Sequence, residues 1–517
     1  MAQQQTLWGL LVERARTNPN KRFCLDNEGR ELSFSGLRDA VLRAAQGLFD
    51  LGIRENDCIM WQLPTWRDSI VLSMALHRLG TVQVPLFPSL RKNEVGYICN
   101  QAKPSLLITP SIWKKFNYSE LAIEVQQDLS NQGHEMQTLI IDKDTLPDSE
   151  PRLEDIGPGI ETINELPVRW IFCTSGTTSA PKAALHTDRP FVSVGYGMNA
   201  LLEISSSDII PMYFPFTHVG GLTWLASSLI SGAQLLLAET FNDEAIAFAS
   251  ANGTTIGGAG TAFHLGYLKA QHESPEVPLL PSIRSFPGGG APKPPELHYQ
   301  MKDAFNSIGV VSGYGLTECP IICMNSVRDP DQELANTEGR LLPGMLVKIV
   351  NADGNVCDPN QEGEIRVKGP HLCVGFLDQE LNKMAFDEAG YFSTGDIGFF
   401  NEGGWLTISG RLKDIIIRKG ENISAKKIED LLYQHKAIMD VAVVGLPDPE
   451  RGEMVCAVVQ MNLGEKSISF EDMSAFCLRG GLVIQEVPER LEIVSELPRN
   501  LSGKILKTEL QKKIQRK

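Results

Sequence analysis

Trp170-Ile171-Phe172-Cys173-Thr174-Ser175-Gly176-Thr177-Thr178-Ser179-Ala180-Pro181-Lys182 is the stretch from which the rest of the chain can be read. Its first four residues are apolar and predict a short buried strand. The nine that follow crowd hydroxyls, a glycine and a lysine together. Small residues let backbone N–H groups approach a polyphosphate closely, hydroxyls add donors, and lysine adds a point charge. The plainer reading is a Ser/Thr-rich surface loop. The stretch is not a P-loop, which needs Gly at 181 and Ser or Thr at 183; here they are Pro181 and Ala183.

Upstream, strand and helix patterns alternate. Ser35 is placed to cap a helix with Leu37, Val41, Ala44 and Leu48 on one face and Gly52 at its end. Strands are expected at Cys58–Trp61, Val82–Leu86 and Leu106–Thr109, with a helix over Trp66–Leu79 closed by Gly80. This alternation predicts a mostly parallel sheet covered on both faces. Ligands of such sheets sit beyond the carboxyl ends of strands, where the loop after Cys173 falls.

Downstream the alternation continues. Pro215-Phe216-Thr217-His218-Val219-Gly220-Gly221 precedes an apolar helix, where a histidine before glycines reads first as a turn residue. Gly257-Gly258-Ala259-Gly260 and Phe286-Pro287-Gly288-Gly289-Gly290-Ala291-Pro292 are turns without bulky side chains, suited to ligand walls. Tyr314-Gly315-Leu316-Thr317-Glu318 offers a hydroxyl and a carboxylate for a phosphate and its magnesium, although Thr-Glu also starts ordinary helices. From 345 short alternating strands predict an antiparallel section containing Thr394-Gly395-Asp396. Gly410-Arg411-Leu412-Lys413-Asp414 leads into a smaller α+β unit. The expected class is α/β. A large domain, 1–412, has layered mostly parallel sheets and an antiparallel section; a small mobile α+β domain, 413–517, hinges at Lys413. Leu497-Pro498-Arg499-Asn500-Leu501-Ser502-Gly503-Lys504 precedes a basic amphipathic helix.

A chain of 517 residues with 42% hydrophobic and 21% charged residues is an ordinary globular composition for two domains. The net charge of −15 argues against a general nucleic-acid binder. Ten cysteines with no C-x-x-C pair suggest reduced thiols in a cytoplasmic protein, not zinc or disulfides. Met-Ala-Gln-Gln-Gln carries no signal-peptide pattern, and the most apolar run, Leu222 to Ala238, reads as a core helix and strand, not a membrane span.

Taken in order, Thr174–Lys182, Phe216-Thr217-His218, Tyr314–Glu318, Thr394-Gly395-Asp396, Gly410–Asp414 and Ser502-Gly503-Lys504 resemble the motifs of the adenylate-forming enzymes: acyl-CoA synthetases, adenylation domains of peptide synthetases and firefly-type luciferases. The resemblance spans nearly the whole chain. It implies attack of a carboxylate on the α-phosphate of ATP with Mg2+, then transfer of the acyl group from AMP to a thiol such as that of coenzyme A. It also implies roles. Thr174, Ser175, Gly176, Thr177, Thr178 and Lys182 cradle the pyrophosphate. Thr317 contacts the α-phosphate, and Glu318 holds magnesium. Gly289, Gly290, Ala291 and Tyr314 wall the adenine slot. Asp396 accepts the ribose hydroxyls, Arg411 makes a second ribose or phosphate contact, and His218 gates the acyl carboxylate. Lys504 bridges the carboxylate and the α-phosphate. Rotation about Lys413 then exchanges Lys504 for the segment containing Gly420, Glu421 and Asn422, which lines the thiol channel. Ser179 and Ala183 depart from the family's glycines, and Gln485 stands where a lysine is usual before Val-Pro.

The same resemblance assigns the acyl pocket to Val219, Gly220, Trp224, Gly258, Ala259, Gly313 and Cys319, with Phe263 and Leu265 nearby. No Asp or Glu falls between Phe214 and Ala238 to hold a substrate amine, no cation is present for a second carboxylate, and no carrier domain follows Lys517. The expectation is an AMP-forming ligase joining a hydrophobic carboxylic acid (fatty, alicyclic or steroid side-chain) to CoA, similar to bacterial ligases of that type. The alternatives are amino-acid or aryl-acid adenylation, or a non-catalytic nucleotide-binding relative. Monomer and homodimer stay open.

Overall fold

Short, largely apolar strands, chief among them Cys58–Trp61 and Leu106–Thr109, build the middle of a seven-stranded central sheet. In this computed structural model, which describes residues 5–157, 159–161, 166–174, 181–258, 260–291, 293–462, 466–499 and 504–515, Cys58–Trp61 lies between Val82–Pro85 and Leu106–Thr109, with Gln137–Ile140 beyond the latter, all parallel. Trp170–Thr174 joins parallel to Val82–Pro85. Lys182–His186 then turns back antiparallel to it, and Gly375–Phe376 closes the edge. The helix Arg67–Arg78 is buried along almost its whole length, because it is sandwiched between layers. Fully burying each Leu, Ile or Phe contributes about 1.5–3 kcal/mol, enough to fix the register of strands with no polar face.

A second sheet orders Ile209–Met212, Gln234–Leu237, Arg22–Asp26 and Glu31–Ser33. The first three run parallel, and the last forms a hairpin. The expected antiparallel section is present: Leu346–Val350, Gly363–Lys368, Phe392–Phe400 and Leu406–Arg411 pair in sequence order. One expectation fails. The helix Phe34–Asp50 is capped by Ser33, whose Oγ accepts from Gly36 N at 3.0 Å. Ser35 instead donates to Pro19 O at 2.8 Å, because the chain turns helical two residues earlier than the apolar spacing indicates.

The C-terminal section packs a sheet of Ile415–Arg418, Glu421–Ser424, Ile438–Asp448, Gly452–Met461 and Arg490–Val494 between helices. Val441, Val443, Val455, Ala457 and Val459 share one apolar cluster with the helices Ala425–Leu432 and Phe470–Arg479. The alternate residues Ala442, Val444, Cys456 and Val458 face a second cluster with Leu497, Leu510 and Ile514. The period-two alternation of strands produces this division. Neither cluster shares a residue with the main core, which ends at Leu406. Among the described residues no helix is long and apolar enough to cross a membrane. All ten cysteines are free thiols, seven of them buried.

Candidate active site

The strand Phe392–Phe400 carries Asp396 to the floor of a cavity of about 700 Å³. Opposite it, the strand Gly313–Leu316 presents Tyr314, whose hydroxyl donates to Asp396 Oδ2 at 2.7 Å. Arg411, paired with Asp396 across the sheet, brings Nε to 2.5 Å from Oδ1 and donates from Nη2 to Oδ2 at 3.3 Å. Asp396 is 2% exposed, and its Oδ1 has no aligned hydrogen-bond donor. Beside its ion pair with Arg411, this buried carboxylate keeps acceptor capacity for a ligand donor such as a ribose hydroxyl. Burial, followed by the Asp396 charge, pushes the Tyr314 hydroxyl well up, so it stays a donor.

Gly290, Ala291 and Gly313 line the same cavity. Gly288 N donates to Val311 O at 2.7 Å and Gly313 N donates to Gly288 O at 3.1 Å, which aligns the two walls of a flat slot. Gly289 and Gly290 have φ of 154° and 73°, and the latter is a conformation that side-chain-bearing residues avoid.

Thr317 and Glu318 form the tight turn between Gly313–Leu316 and Cys319–Met324, an antiparallel hairpin and not a helix start. His186 Nε2 donates to Thr317 O at 2.9 Å and Cys373 N to Glu318 O at 2.7 Å, so the turn is held by its backbone. Burial lowers the His186 pKa to about 4 and keeps that ring neutral. Both side chains are thereby left for a ligand. Thr317 Oγ1 is buried with no hydrogen-bond partner. Glu318 is 8% exposed, and its pKa is raised by burial against the opposing charges of Lys182 and Arg411. A carboxylate held in that way gains by meeting a cation. Magnesium typically takes one or two protein carboxylates plus substrate phosphates, and this donor set fits that pattern.

The strands on either side of the candidate phosphate loop, Trp170–Thr174 and Lys182–His186, pair antiparallel. Thr174 and Lys182 are cross-strand partners, and Lys182 Nζ lies 5.7 Å from the centroid of the Phe376 ring. Ser175, Gly176, Thr177, Thr178, Ser179 and Ala259 lie outside the described residues, as do Ser502 and Gly503.

Lys504 belongs to the far end of the chain, yet it lines the same cavity as Asp396, Arg411 and Tyr314. Burial, then the neighbouring Arg411 and Lys413 charges, lower its pKa to about 8. Lys413 lies in the short helical turn Leu412–Asp414, and its pKa is lowered by burial and by Arg411. Lys419 and Gly420 form the turn between Ile415–Arg418 and Glu421–Ser424; Gly420, Glu421 and Asn422 are exposed, and Asn422 also lines the cavity.

The model described as AMP-binding enzyme matches residues 11–377, and that described as AMP-binding enzyme C-terminal domain matches residues 427–504. The chain belongs to the AMP-binding enzyme family. Its similarity to the medium-chain fatty-acid–CoA ligase of Escherichia coli K12 is 30% identity over 99% of this chain and 92% of that one. To the oxalate–CoA ligase of Arabidopsis thaliana it is 29%, over 97% of each. Among solved structures, the o-succinylbenzoate coenzyme A synthetase of Bacillus subtilis in complex with ATP and magnesium ion superposes with a TM-score of 0.80. It is 25% identical and covers 98% of this chain and 100% of that one.

Among this AMP-binding enzyme's acyl-pocket candidates, Gly313 lines the large cavity beside Tyr314. His218 caps the helix Val219–Ser231, its Nδ1 accepting from Gly220 N at 3.0 Å, and its ring stacks on Phe87 with centroids 5.9 Å apart. Burial lowers its pKa to about 4. Gly221 must be glycine: a Cβ there would sit 2.1 Å from Phe216 O. Val219 and Trp224 are each 4% exposed, and Cys319 is fully buried. Gly258 abuts Tyr213, part of a nest in which Tyr213 and Phe241 lie 5.5 Å apart and Phe241 and Phe263 4.9 Å. No local pattern singles out His186, Phe87 or Cys373, whose roles come from contacts distant in the chain.

Proposed function

We propose that this chain is an AMP-forming acyl-CoA ligase that activates a hydrophobic monocarboxylic acid with ATP and Mg2+ and passes the acyl group to CoA. The observation that carries the reading is the convergence of Lys504 with Asp396, Arg411 and Tyr314 on one cavity. In the adenylation step Asp396 accepts the ribose hydroxyls, and Arg411 steadies that carboxylate. Gly289, Gly290, Ala291 and Tyr314 enclose the purine. The Thr174–Lys182 loop and Thr317 donate to the phosphates, and Glu318 takes the magnesium. Lys504 supplies positive charge where the acid's carboxylate meets the α-phosphate. The catalytic effect is positioning and preorganised charge, with no protein nucleophile.

In this reading the domains are 1–412 and 413–517, and Lys413 is the hinge. The last residue of the main apolar core is Leu406, with Ile408 packed against it, and the separate C-terminal cluster begins at Ile416, which supports a boundary between them. Rotation there withdraws Lys504 and brings Gly420, Glu421 and Asn422 to the thiol, so one site serves two reactions. His218, Val219, Gly220, Trp224, Gly258, Ala259 and Cys319 form the acyl wall. Its aromatic and aliphatic composition favours an apolar tail and offers no cation to a second carboxylate. We place the enzyme in the cytoplasm on its reduced thiols.

ATP–pyrophosphate exchange over a panel of medium-chain, alicyclic, aromatic and dicarboxylic acids (oxalate included) tests this. Exchange dependent on an apolar monocarboxylate, with CoA-dependent AMP release, is expected. Exchange with no acid added, or with oxalate alone, contradicts it.

A further inference from the structure

We infer that Asp440, Arg499 and Tyr433 form a clamp whose task is to position Lys504 for adenylation. This rests on the role given above to Lys504. The lysine sits at the tip of a four-carbon stem and must meet its target within a fraction of an ångström, because a 1 Å misplacement can cost about a hundredfold in rate. Its neighbours show how the segment is fixed. Leu506 N donates to Pro498 O at 2.8 Å, and Arg499 and Ile505 pair across an antiparallel bridge, so Pro498–Arg499 is tied to the residues that follow Lys504. Leu497, 2% exposed, anchors one flank in the apolar cluster with Leu510 and Ala442.

The polar anchor is separate. Arg499 forms an ion pair with Asp440, whose side chain is 4% exposed. The same carboxylate accepts from the Tyr433 hydroxyl and from its own neighbour Val441 N at 2.9 Å. Tyr433 follows the helix Ala425–Leu432, and Asp440 lies at the start of the strand Ile438–Asp448. One buried carboxylate thus joins a helix end, a sheet and the Lys504 segment. Tyr433, Arg499 and Lys504 all line the large cavity. Burying an ion pair contributes little net stability, and here its bonds tie three segments of the chain together. That makes Arg499 and Asp440 positioning residues, with no contact to the reacting atoms required.

The test compares Asp440→Asn and Arg499→Met with the unaltered enzyme in two assays: ATP–pyrophosphate exchange for adenylation, and thioester formation from CoA and a supplied acyl-adenylate. We expect kcat for exchange to fall about 10- to 100-fold. KM for ATP and the thioester rate should each stay within about twofold, and Arg499→Lys should recover part of the loss. Unchanged exchange, or equal losses in both assays, overturns the clamp. The second outcome would mark a purely structural ion pair, and the thioester assay doubles as the control for folding. Lys504→Ala is run alongside. If it loses exchange while Asp440→Asn keeps it, the clamp alone fails; if it keeps exchange, the role of Lys504 fails and the clamp with it.

Discussion

Burial first, then the charges of Arg411 and Lys413, outweigh those of Asp396 and Asp414 and lower the Lys504 pKa from 10.5 to about 8. At about 8 the amine is roughly nine-tenths protonated at pH 7 and one-tenth at pH 9, whereas an unperturbed lysine stays about 97% charged at pH 9. Adenylation needs the charged form. The kcat/KM for ATP in pyrophosphate exchange, which reports the free enzyme, should therefore fall about tenfold from pH 7 to pH 9. In the ATP complex the phosphates favour the charged amine, so the same limb in kcat should move to higher pH. Lys504→Arg should abolish the limb, since guanidinium does not titrate there. Linkage gives a companion sign. A lysine whose folded pKa lies below its unfolded value costs stability while both states are charged, below about pH 8. That cost fades as pH rises from about 8 toward 10.5. A kcat/KM limb centred near 10.5, or one that survives in Lys504→Arg, refutes the assignment.

Glu318→Gln should raise the magnesium concentration needed for half-maximal exchange; an unchanged magnesium titration removes Glu318 as a ligand. Thr317→Val should lower exchange kcat about 10- to 1,000-fold, the usual cost of one lost preorganised donor. Its melting temperature should hold or rise, because it replaces a buried hydroxyl that has no partner; a large drop in thermal stability contradicts the assignment. Asp396→Asn removes a charged acceptor worth about 1.5–3 kcal/mol, so KM for ATP should rise about 10- to 150-fold. An equal effect with 2′,3′-dideoxy-ATP shows that the ribose is not its partner.

Much of this was legible because it is local. Cys58–Trp61 and Leu106–Thr109 are apolar on both faces, and such runs have few places to go except a covered parallel sheet. Asp396 and Arg411 could be proposed from motifs, yet their pairing across two strands is a matter of register, which spacing does not give. The Thr317-Glu318 turn shows the limit of local signals. Its residues suit a helix start, but Cys319–Met324 finds its partner in Gly313–Leu316, and the hairpin wins. The cap of the helix Phe34–Asp50 falls at Ser33 because two serines compete and the backbone, not propensity, chooses. His186 under Thr317 and Asp440 under Arg499 were invisible for a simpler reason. Each contact joins segments tens of residues or more apart, and neither partner is unusual in its own neighbourhood.

The most direct test of the account is Lys504→Ala measured in both half-reactions of one preparation. The account predicts that exchange of pyrophosphate into ATP is nearly abolished while CoA still converts a supplied acyl-adenylate to thioester at close to the original rate. Equal loss in the two assays, or exchange that survives the substitution, would contradict it.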